Sequence, residues 1–338
     1  MPVKGCRPHS AHNWESQLAV QYDGPLEFVF VVESADDPAL PVLRELAARR
    51  AQAAQPGRGG AGGGAGGGGG PVAVRTVVAG LATTCSQKAH NLCAGIEACG
   101  RPGAGAGAGV PNGPGTGPGG GAPVHSGSGG GGNGGGGGYV LCLDDDVALH
   151  PGSLADLVAE LEAAPAVFMA TGYPFDVPPP GSSLPAYLAL AYHLPLLIAF
   201  SVARDTKFVW GGCMLLRRRE LLPGDPHGLL AAWRRGGYSD DLILASLCTE
   251  RRLRIRVPPF AIFPQRLDPA MTWSGWLNYL HRQLFVLDTY SNEHNRRTNH
   301  AMMVIHSMLS WALVLPSLLD PGRGLSSSQP AAAKRPVG

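Results

Sequence analysis

The segment YVLCLDDDVALHPGSL places three consecutive aspartates, Asp144, Asp145 and Asp146, after an apolar run that begins at Tyr139. Adjacent carboxylates repel one another, so this segment needs a positive partner. If side chains alternate along an extended strand, Asp144 and Asp146 lie on the same side, where two carboxylates can hold Mg²⁺ together with a substrate diphosphate. The alternative is a solvated acidic loop, although such a loop would not need to follow directly after an apolar strand.

Two other functional classes match this acidic segment less well. A calcium-binding EF-hand loop requires a glycine and a glutamate where this chain has Leu149 and Ala155. A phosphatase of the haloacid dehalogenase type has a similar pair of aspartates, but it normally carries threonine or valine at the position of Ala148. That phosphatase class stays as an alternative, with Asp144 as its nucleophile.

A second acidic group lies in GGYSDDLILASL, residues 236–247. Ser239 is placed to begin a helix, and Asp240 and Asp241 fall in the first turn, where the helix dipole favours anions. These carboxylates could serve only as helix caps. If the start of the helix faces a cleft, one of them can act as a general base and deprotonate a substrate hydroxyl.

Basic residues in two helical segments are candidates for binding a diphosphate. Arg282 lies in WSGWLNYLHRQLFVLDTY, on the face that carries Tyr279, and arginine can form two parallel hydrogen bonds with a diphosphate. Lys88 and Asn91 lie in CSQKAHNL. Each of these side chains could equally be a solvated group on the polar face of a helix.

Composition excludes some classes of partner and compartment. The 338 residues carry a formal net charge of only +2, and no basic stripe interleaved with aromatic residues is present, so we expect no nucleic-acid partner. The seven cysteines contain no CxxC pair, which favours free thiols in a reducing compartment over the disulfides of a secreted protein. The start MPVKGCRPHS lacks the apolar stretch of a signal peptide.

The elements that must position these residues alternate between strand and helix. Two glycine-rich segments, at about 55–71 and 100–138, cannot bury enough apolar surface to fold, and we predict that they are disordered insertions. Without them, strands at 26–34, 72–81 and 139–146 alternate with helices near 38–50 and 86–98. A further helix follows from Ser153, where Asp156 completes a capping box.

This alternation predicts an α/β domain with a mixed, mostly parallel sheet. Ligands of such sheets bind beyond the carboxyl ends of the strands, where ESADDPA and LDDDVAL collect acidic residues.

Two later segments are unusually apolar. The segment 185–202 contains Pro195 and is interpreted as a kinked, lipid-facing helix, with a buried core helix as the alternative. The segment 301–319 is close to membrane-spanning length, and the basic residues of HNRRTNH before it predict that this end faces the cytosol. The predicted organisation is therefore a domain at 1–290, a transmembrane helix at 301–319 and a disordered tail at 320–338.

Taken together, these motifs resemble those of a known family. The segments MPVKG, GPLEFVFVVESADDPA, VVAGLATTCSQKAHNL, LCLDDDVALHPG, TGYPFDVP, FVWGGCMLL, GGYSDDLILA and WLNYLHRQLFVLDTY occur in the order found in ceramide glucosyltransferases, most closely those of plants. The resemblance extends to about residue 317, apart from the glycine-rich insertions. It implies a GT-A fold facing the cytosol on Golgi or ER membranes, and inverting transfer of glucose from UDP-glucose to the primary hydroxyl of ceramide.

The resemblance also implies roles for single residues. It assigns nucleotide binding to Asp37, the metal and diphosphate to Asp144 with Asp146 (Mg²⁺ or Mn²⁺), and the catalytic base to Asp241. Arg282 matches only part of the family's Gln/Arg-x-x-Arg-Trp motif, which holds the diphosphate, and Lys88 joins the residues expected to bind the nucleotide sugar.

Three alternatives remain for this chain. Composition does not distinguish ceramide from another lipid or a polysaccharide as the acceptor. Family members usually carry a membrane anchor and a first strand before the segment that resembles MPVKG, and we expect both to be missing here. A catalytically inactive paralogue is therefore the second alternative, and the phosphatase class is the third.

Overall fold

The computed structural model describes residues 1–7, 10–53, 72–100, 138–287 and 289–319. The glycine-rich insertions, apart from Gly100 and Gly138, and the tail at 320–338 lie outside these residues. The chain divides into two compact units, Met1–Ser291 and Asn292–Gly338. The seven cysteines are all described and all free, as the sequence predicts.

Three sheets form the first unit. β1 (Leu26–Val32) pairs in parallel with β2 (Val72–Val78). A five-stranded sheet has the spatial order β3 (Tyr139–Leu143), β7 (Cys213–Arg217), β4 (Val167–Thr171), β8 (Arg254–Arg256) and β6 (Asp205–Thr206). β5 (Tyr173–Val177) pairs in parallel with β9 (Ile262–Arg266). Two of the three sheets in the described residues are wholly parallel, and the third is mixed.

The described residues also form ten α-helices. They are α1 (Ser10–Leu18), α2 (Ala39–Ala53), α3 (Gln87–Cys99), α4 (Ser153–Glu162), α5 (Leu184–His193), α6 (Ile198–Ser201), α7 (Leu229–Arg235), α8 (Asp240–Glu250), α9 (Trp273–Leu287) and, in the second unit, α10 (Glu293–Leu319). The predicted fold class, α/β with a mixed and mostly parallel sheet, is confirmed. Each strand and helix predicted from the alternation before residue 163 is present, with ends shifted by a few residues.

Apolar packing rather than strand pairing joins the first two sheets. Residues 1–3 hydrogen-bond along the edge of β1 away from β2, and a cavity of about 390 Å³ is lined by apolar residues from both sheets and their helices, including Leu26, Leu92, Leu141 and Leu154. α3 packs on β1 and on α7, with Leu92 and Ile96 buried. This helix therefore carries the connection between the sheets, and its first turn lies near the acidic residues described below.

Two predictions about where helices begin and break had different outcomes. The predicted capping box at Ser153 is wrong: Gly152 is the N-cap, Ser153 is the first helical residue, and no side chain caps the helix. The kink predicted at Pro195 is confirmed, because a 3₁₀ turn at Leu194–Leu197 separates α5 from α6. Proline lacks the N–H group that a continuous helix would use there.

The segment 185–202 lies largely at the surface. Only Pro185, Ala186 and Ala189 are buried in α5, and none of the residues of α6 is buried. The exposed side chains favour the lipid-facing interpretation over a buried core helix.

The predicted transmembrane segment 301–319 forms most of α10. No helix in the described part of the chain is long and apolar enough to cross a membrane. The membrane span at 301–319 stays a prediction.

Candidate active site

The three aspartates form a turn rather than the end of a strand. β3 stops at Leu143, and Asp145 and Asp146 lie in a turn, so strand alternation does not place their side chains. The buried amide of Gln17 on α1 holds this turn by donating to the backbone oxygens of Asp144 (3.0 Å) and Val147 (2.7 Å). α1 therefore fixes the acidic turn through a contact that spans more than a hundred residues.

Lys88 is the positive partner of the first aspartate. It lies in the first turn of α3, where the Ser86 side chain caps the helix by accepting a hydrogen bond from the backbone N–H of Ala89. Its Nζ lies 2.9 Å from Asp144 Oδ1 and 3.3 Å from Asp240 Oδ1. Burial alone would lower the pKa of Lys88, but attraction to Asp144, Asp240 and Asp241 outweighs burial and raises it. The lysine therefore stays charged.

The loop before β7 brings the lysine and the acidic residues of α8 together. Lys88 Nζ donates to the backbone oxygen of Gly211 (3.4 Å), while the N–H of Gly211 donates to Asp241 Oδ2 (3.1 Å). A Cβ atom at position 211 would lie 2.8 Å from Lys88 Nζ and 2.9 Å from Asp240 Oδ2. Only glycine fits between these groups without displacing one of them.

The start of α8 is docked on the start of α3. The N–H of Ser86 donates to the backbone oxygen of Gly237, and the Thr84 hydroxyl donates to the backbone oxygen of Arg234. Gly236 and Gly237 have φ values of 120° and 117°, a conformation that side-chain-bearing residues rarely adopt. These glycines turn the chain so that two helix N-termini meet.

The neighbouring aspartates of α8 have different environments. Asp240 is buried, its Oδ2 has no hydrogen-bond partner among the described residues, and burial raises its pKa to about 7 against the opposing effect of Lys88. Asp241 is half-buried, and its Oδ1 accepts hydrogen bonds from the Leu242 N–H and the Ser239 hydroxyl. Ser239 is the N-cap residue, as predicted, but its hydroxyl binds Asp241 rather than the helix backbone.

The remaining aspartates of the turn have separate partners. Asp146 Oδ2 accepts a hydrogen bond from Gln265 Nε2 (2.8 Å) and lies 3.9 Å from Arg7 Nη1. Burial, together with repulsion from Asp146 and Asp144, raises the pKa of Asp145 to about 7. The positive charge that the sequence required is thus supplied by Lys88 on one side of the turn and by Arg7 on the other.

Two expected site residues are not joined to this cluster. Asp37 is buried, and its carboxylate accepts hydrogen bonds from the backbone N–H groups of Gly5 (3.1 Å) and Ala39 (2.8 Å), so it caps α2 and anchors the N-terminal loop. Arg282 on α9 is exposed and forms no ion pair with an acidic residue of the described ranges. The structure brings together Lys88, Asp144 and Asp241, with Asp146 two residues along the turn.

The carboxylates of Asp144 and Asp146 suit a metal ion that takes most of its ligands from water and substrate. No group of three or more histidine, cysteine or acidic side chains in the described part of the chain could hold a metal by itself. Asp144 and Asp146 supply two carboxylates, and the buried Oδ2 of Asp240 nearby has no hydrogen-bond partner among the described residues. Mg²⁺ typically binds one or two carboxylates, with water and substrate phosphates completing its shell. The donor set fits such an ion.

Sequence reasoning missed several residues that build this site. Gln17, Gly211 and Gln265 contact the acidic residues over long sequence separations, and the sequence holds no local signal for those contacts. Asp240 was recognised only as one of a pair. Its pairing with Lys88 follows from the docking of two helix N-termini.

Comparisons with known proteins give a partial match. Residues 1–54 match the model of Glycosyl transferase family 21. None of the curated proteins matches this chain. The chain is similar in structure to a mannosyltransferase from Pyrobaculum calidifontis, solved in complex with GDP-Man and Mn²⁺. The two chains are 15% identical, the similarity covers 95% of this chain and 79% of that one, and the TM-score is 0.47.

Proposed function

We propose that this chain is a GT-A-like glycosyltransferase that transfers glucose from UDP-glucose to the primary hydroxyl of ceramide. The observation that carries the proposal is the cluster of Lys88, Asp144 and Asp241, which three distant segments bring together around Gly211. The match of residues 1–54 to a glycosyltransferase family supports the same reaction class. The choice of glucose and ceramide rests on the order of the sequence motifs.

The donor diphosphate would bind at the acidic turn. Asp144 and Asp146 would hold Mg²⁺ or Mn²⁺, and that ion, when bound, neutralises charge on the diphosphate as UDP leaves. Lys88 holds a fixed positive charge beside Asp144, and it can turn toward a phosphate oxygen once that carboxylate has another partner. Arg282 would need to approach from α9 to assist, and we keep it as a secondary diphosphate contact. Asp37 acts through the N-terminal loop that it anchors.

Asp241 is the proposed general base. Gly211 and Leu242 fix its carboxylate, and Oδ2 accepts a single hydrogen bond among the described residues, from Gly211, so a lone pair remains for a substrate hydroxyl. As the acceptor oxygen attacks the anomeric carbon, its proton moves to Asp241 and the bond to the diphosphate oxygen breaks. This single displacement inverts the configuration at the anomeric carbon.

The exposed apolar surface supports a membrane location. Large apolar side chains of α5, α6 and α9 are exposed, including Leu184, Ile198, Leu277 and Phe285. Such surfaces mark contacts with lipid or with another protein. We therefore place the enzyme on the cytosolic face of Golgi or ER membranes, where ceramide would reach the site from the bilayer.

A transfer assay tests the function. Membranes expressing the chain would receive labelled UDP-glucose and a short-chain ceramide, with and without EDTA. We expect labelled glucosylceramide that disappears when EDTA removes the metal and returns when Mg²⁺ or Mn²⁺ is added. A product formed only with a sterol or an oligosaccharide would change the acceptor, and no product with any acceptor would refute the transferase.

The base assignment has its own prediction. Asp241→Asn removes the proton acceptor, so the turnover rate should fall by at least about a hundredfold. Asp23→Asn, at an exposed aspartate, is the matched control and should leave the rate unchanged. Near-normal turnover of Asp241→Asn, measured with saturating UDP-glucose and ceramide, would contradict the role of Asp241.

A further inference from the structure

Asp176 is a buried acid that lies between two exposed apolar residues of its strand. In β5, Asp176 is 2% exposed, whereas its neighbours Phe175 and Val177 are 39% and 38% exposed. A soluble strand normally buries the apolar residues and exposes the acid. A buried ionisable residue usually pairs with another group or takes part in the function of the protein.

Asp176 belongs to a cluster with His193 and Tyr279. His193 Nδ1 lies 2.6 Å from Asp176 Oδ2, and the Tyr279 hydroxyl contacts His193 Nε2. Both contacts are satisfied when a neutral imidazole donates from Nδ1 to Asp176 and accepts at Nε2 from Tyr279. Asp176 Oδ1 is buried and has no hydrogen-bond partner among the described residues. The carboxylate therefore has one oxygen free for a donor group that the described residues do not supply.

This cluster adjoins the candidate active site through one residue. Gln265 of β9 is the register partner of Asp176 of β5 and donates to Asp146 Oδ2. Directly paired residues of neighbouring strands lie about 5 Å apart. The cluster of Asp176, His193 and Tyr279 is thus one strand away from the acidic turn.

Tyr173 links the cluster to an apolar cavity. The Tyr173 hydroxyl donates to the backbone oxygen of His193 (3.2 Å), and its ring helps line a cavity of about 310 Å³. The other lining residues include Leu197, Phe200, Val202 and Ile262. Tyr173 therefore contacts both the polar cluster, through His193, and the apolar cavity.

We propose that this site binds the acceptor: its polar head group meets Asp176 and Tyr279, and part of its apolar chain occupies the cavity. A hydroxyl or amide N–H of the head group would donate to Asp176 Oδ1, and the half-buried Tyr279 hydroxyl would accept a second hydrogen bond. His193 is a positioning residue that holds Tyr279. That the bound molecule is the acceptor of the transfer rests on the proposed function. That the site binds an amphipathic molecule with a hydrogen-bond donor does not.

Direct binding without UDP-glucose is the first test. The probe is a fluorescent short-chain N-acyl amino alcohol in detergent micelles. Asp176→Asn and Tyr279→Phe each remove one hydrogen bond, and each should weaken binding by roughly tenfold, or about 1.4 kcal/mol. Tyr187→Phe removes an exposed hydroxyl from α5 and is the matched control. Leu197→Trp, which fills the cavity, should weaken the acylated probe but not the unacylated amino alcohol.

Steady-state kinetics separate binding from structural damage. The variants should raise the KM for the acceptor while leaving the KM for UDP-glucose unchanged, and their melting temperatures show whether they fold. If Asp176→Asn does not fold, Tyr279→Phe carries the test because that side chain is half-buried. Folded variants with unchanged probe binding and unchanged acceptor KM would overturn the proposal.

The two proposals can fail independently. If the unmodified protein binds the probe and the variants do not, but no glucose is transferred, the site holds and the proposed function is wrong. If transfer occurs and Tyr279→Phe leaves acceptor binding unchanged, the function holds and the site is wrong.

Discussion

Lys88 lies between two carboxylates that both need a positive partner, so its loss should harm folding and donor binding together. Lys88→Met keeps the length of the side chain but leaves Asp144 and Asp240 without their cation. Removing one partner of a fully buried pair costs roughly 3–5 kcal/mol, and the loss here should be smaller because a third of the lysine side chain is exposed.

The measurement is the free energy of unfolding from urea titrations, combined with the affinity for UDP-glucose. Lys4→Met is the control, since Lys4 pairs with Glu33 at the surface and should contribute less than about 1 kcal/mol. Equal losses in the two variants would show that the Lys88 pairs are worth no more than a surface salt bridge.

Asp240 makes stability depend on pH in a direction that can be tested. Its pKa rises with burial from 3.8 to about 7, so between these values the folded chain holds a proton that the unfolded chain has released. The free energy of unfolding should therefore fall as the pH rises through this window. Asp240→Asn cannot titrate, and its melting temperature should decline less over the same range. Parallel curves for the two proteins would contradict a raised pKa at Asp240.

At the scale of elements, the loop before β7 sets the spacing between α3 and α8. Gly211→Ala would place a Cβ atom 2.8 Å from Lys88 Nζ and 2.9 Å from Asp240 Oδ2, so the ion pair must shift. We expect a melting temperature several degrees lower and weaker UDP-glucose binding. Gly152→Ala is the matched control, because its nearest neighbour would be Asp156 Oδ2 at an ordinary 3.6 Å. A Gly211→Ala protein with unchanged melting and binding would show that the loop adjusts freely.

These elements also show what the sequence predicts and what it does not. Periodicity and glycine or proline signals predicted β1–β3 and α2–α4, and they predicted the break at Pro195, since each depends on residues close in sequence. The capping box at Ser153 failed because Gly152 is the N-cap and Ser153 is already the first helical residue. The Lys88–Asp240 pair and the Gln17 clamp were not predicted, because they depend on how distant helices dock.

The predicted site residues show the same difference between local and long-range contacts. Asp144 and Asp241 lie in the cluster that their motifs suggested, where turns and helix starts decide the position. The contacts of Asp37 and Arg282 depend on where the N-terminal loop and α9 pack. Asp37 is used as a cap, and Arg282 points to no acidic partner in the described residues.

For the whole molecule, the exposed apolar side chains of α5, α6 and α9 predict binding to lipid bilayers. Val202 follows α6 and is 76% exposed, so a bilayer contact would bury its side chain. Val202→Asp should weaken binding to neutral phosphatidylcholine vesicles by about tenfold or more, since burying a valine is worth roughly 1.5 kcal/mol and a buried carboxylate adds a further cost.

Leu81→Asp provides the matched control for that prediction, because Leu81 is 72% exposed but belongs to the loop after β2 and to none of these helices. Both variants are first checked for an unchanged melting temperature. Vesicle co-sedimentation then distinguishes a local membrane contact from nonspecific hydrophobic binding. If both substitutions reduce binding equally, the protein has no preferred lipid-facing side. If only Val202→Asp does, the apolar side of the molecule that carries the 310 Å³ cavity also faces the bilayer, and an acceptor lipid could enter the site without crossing water.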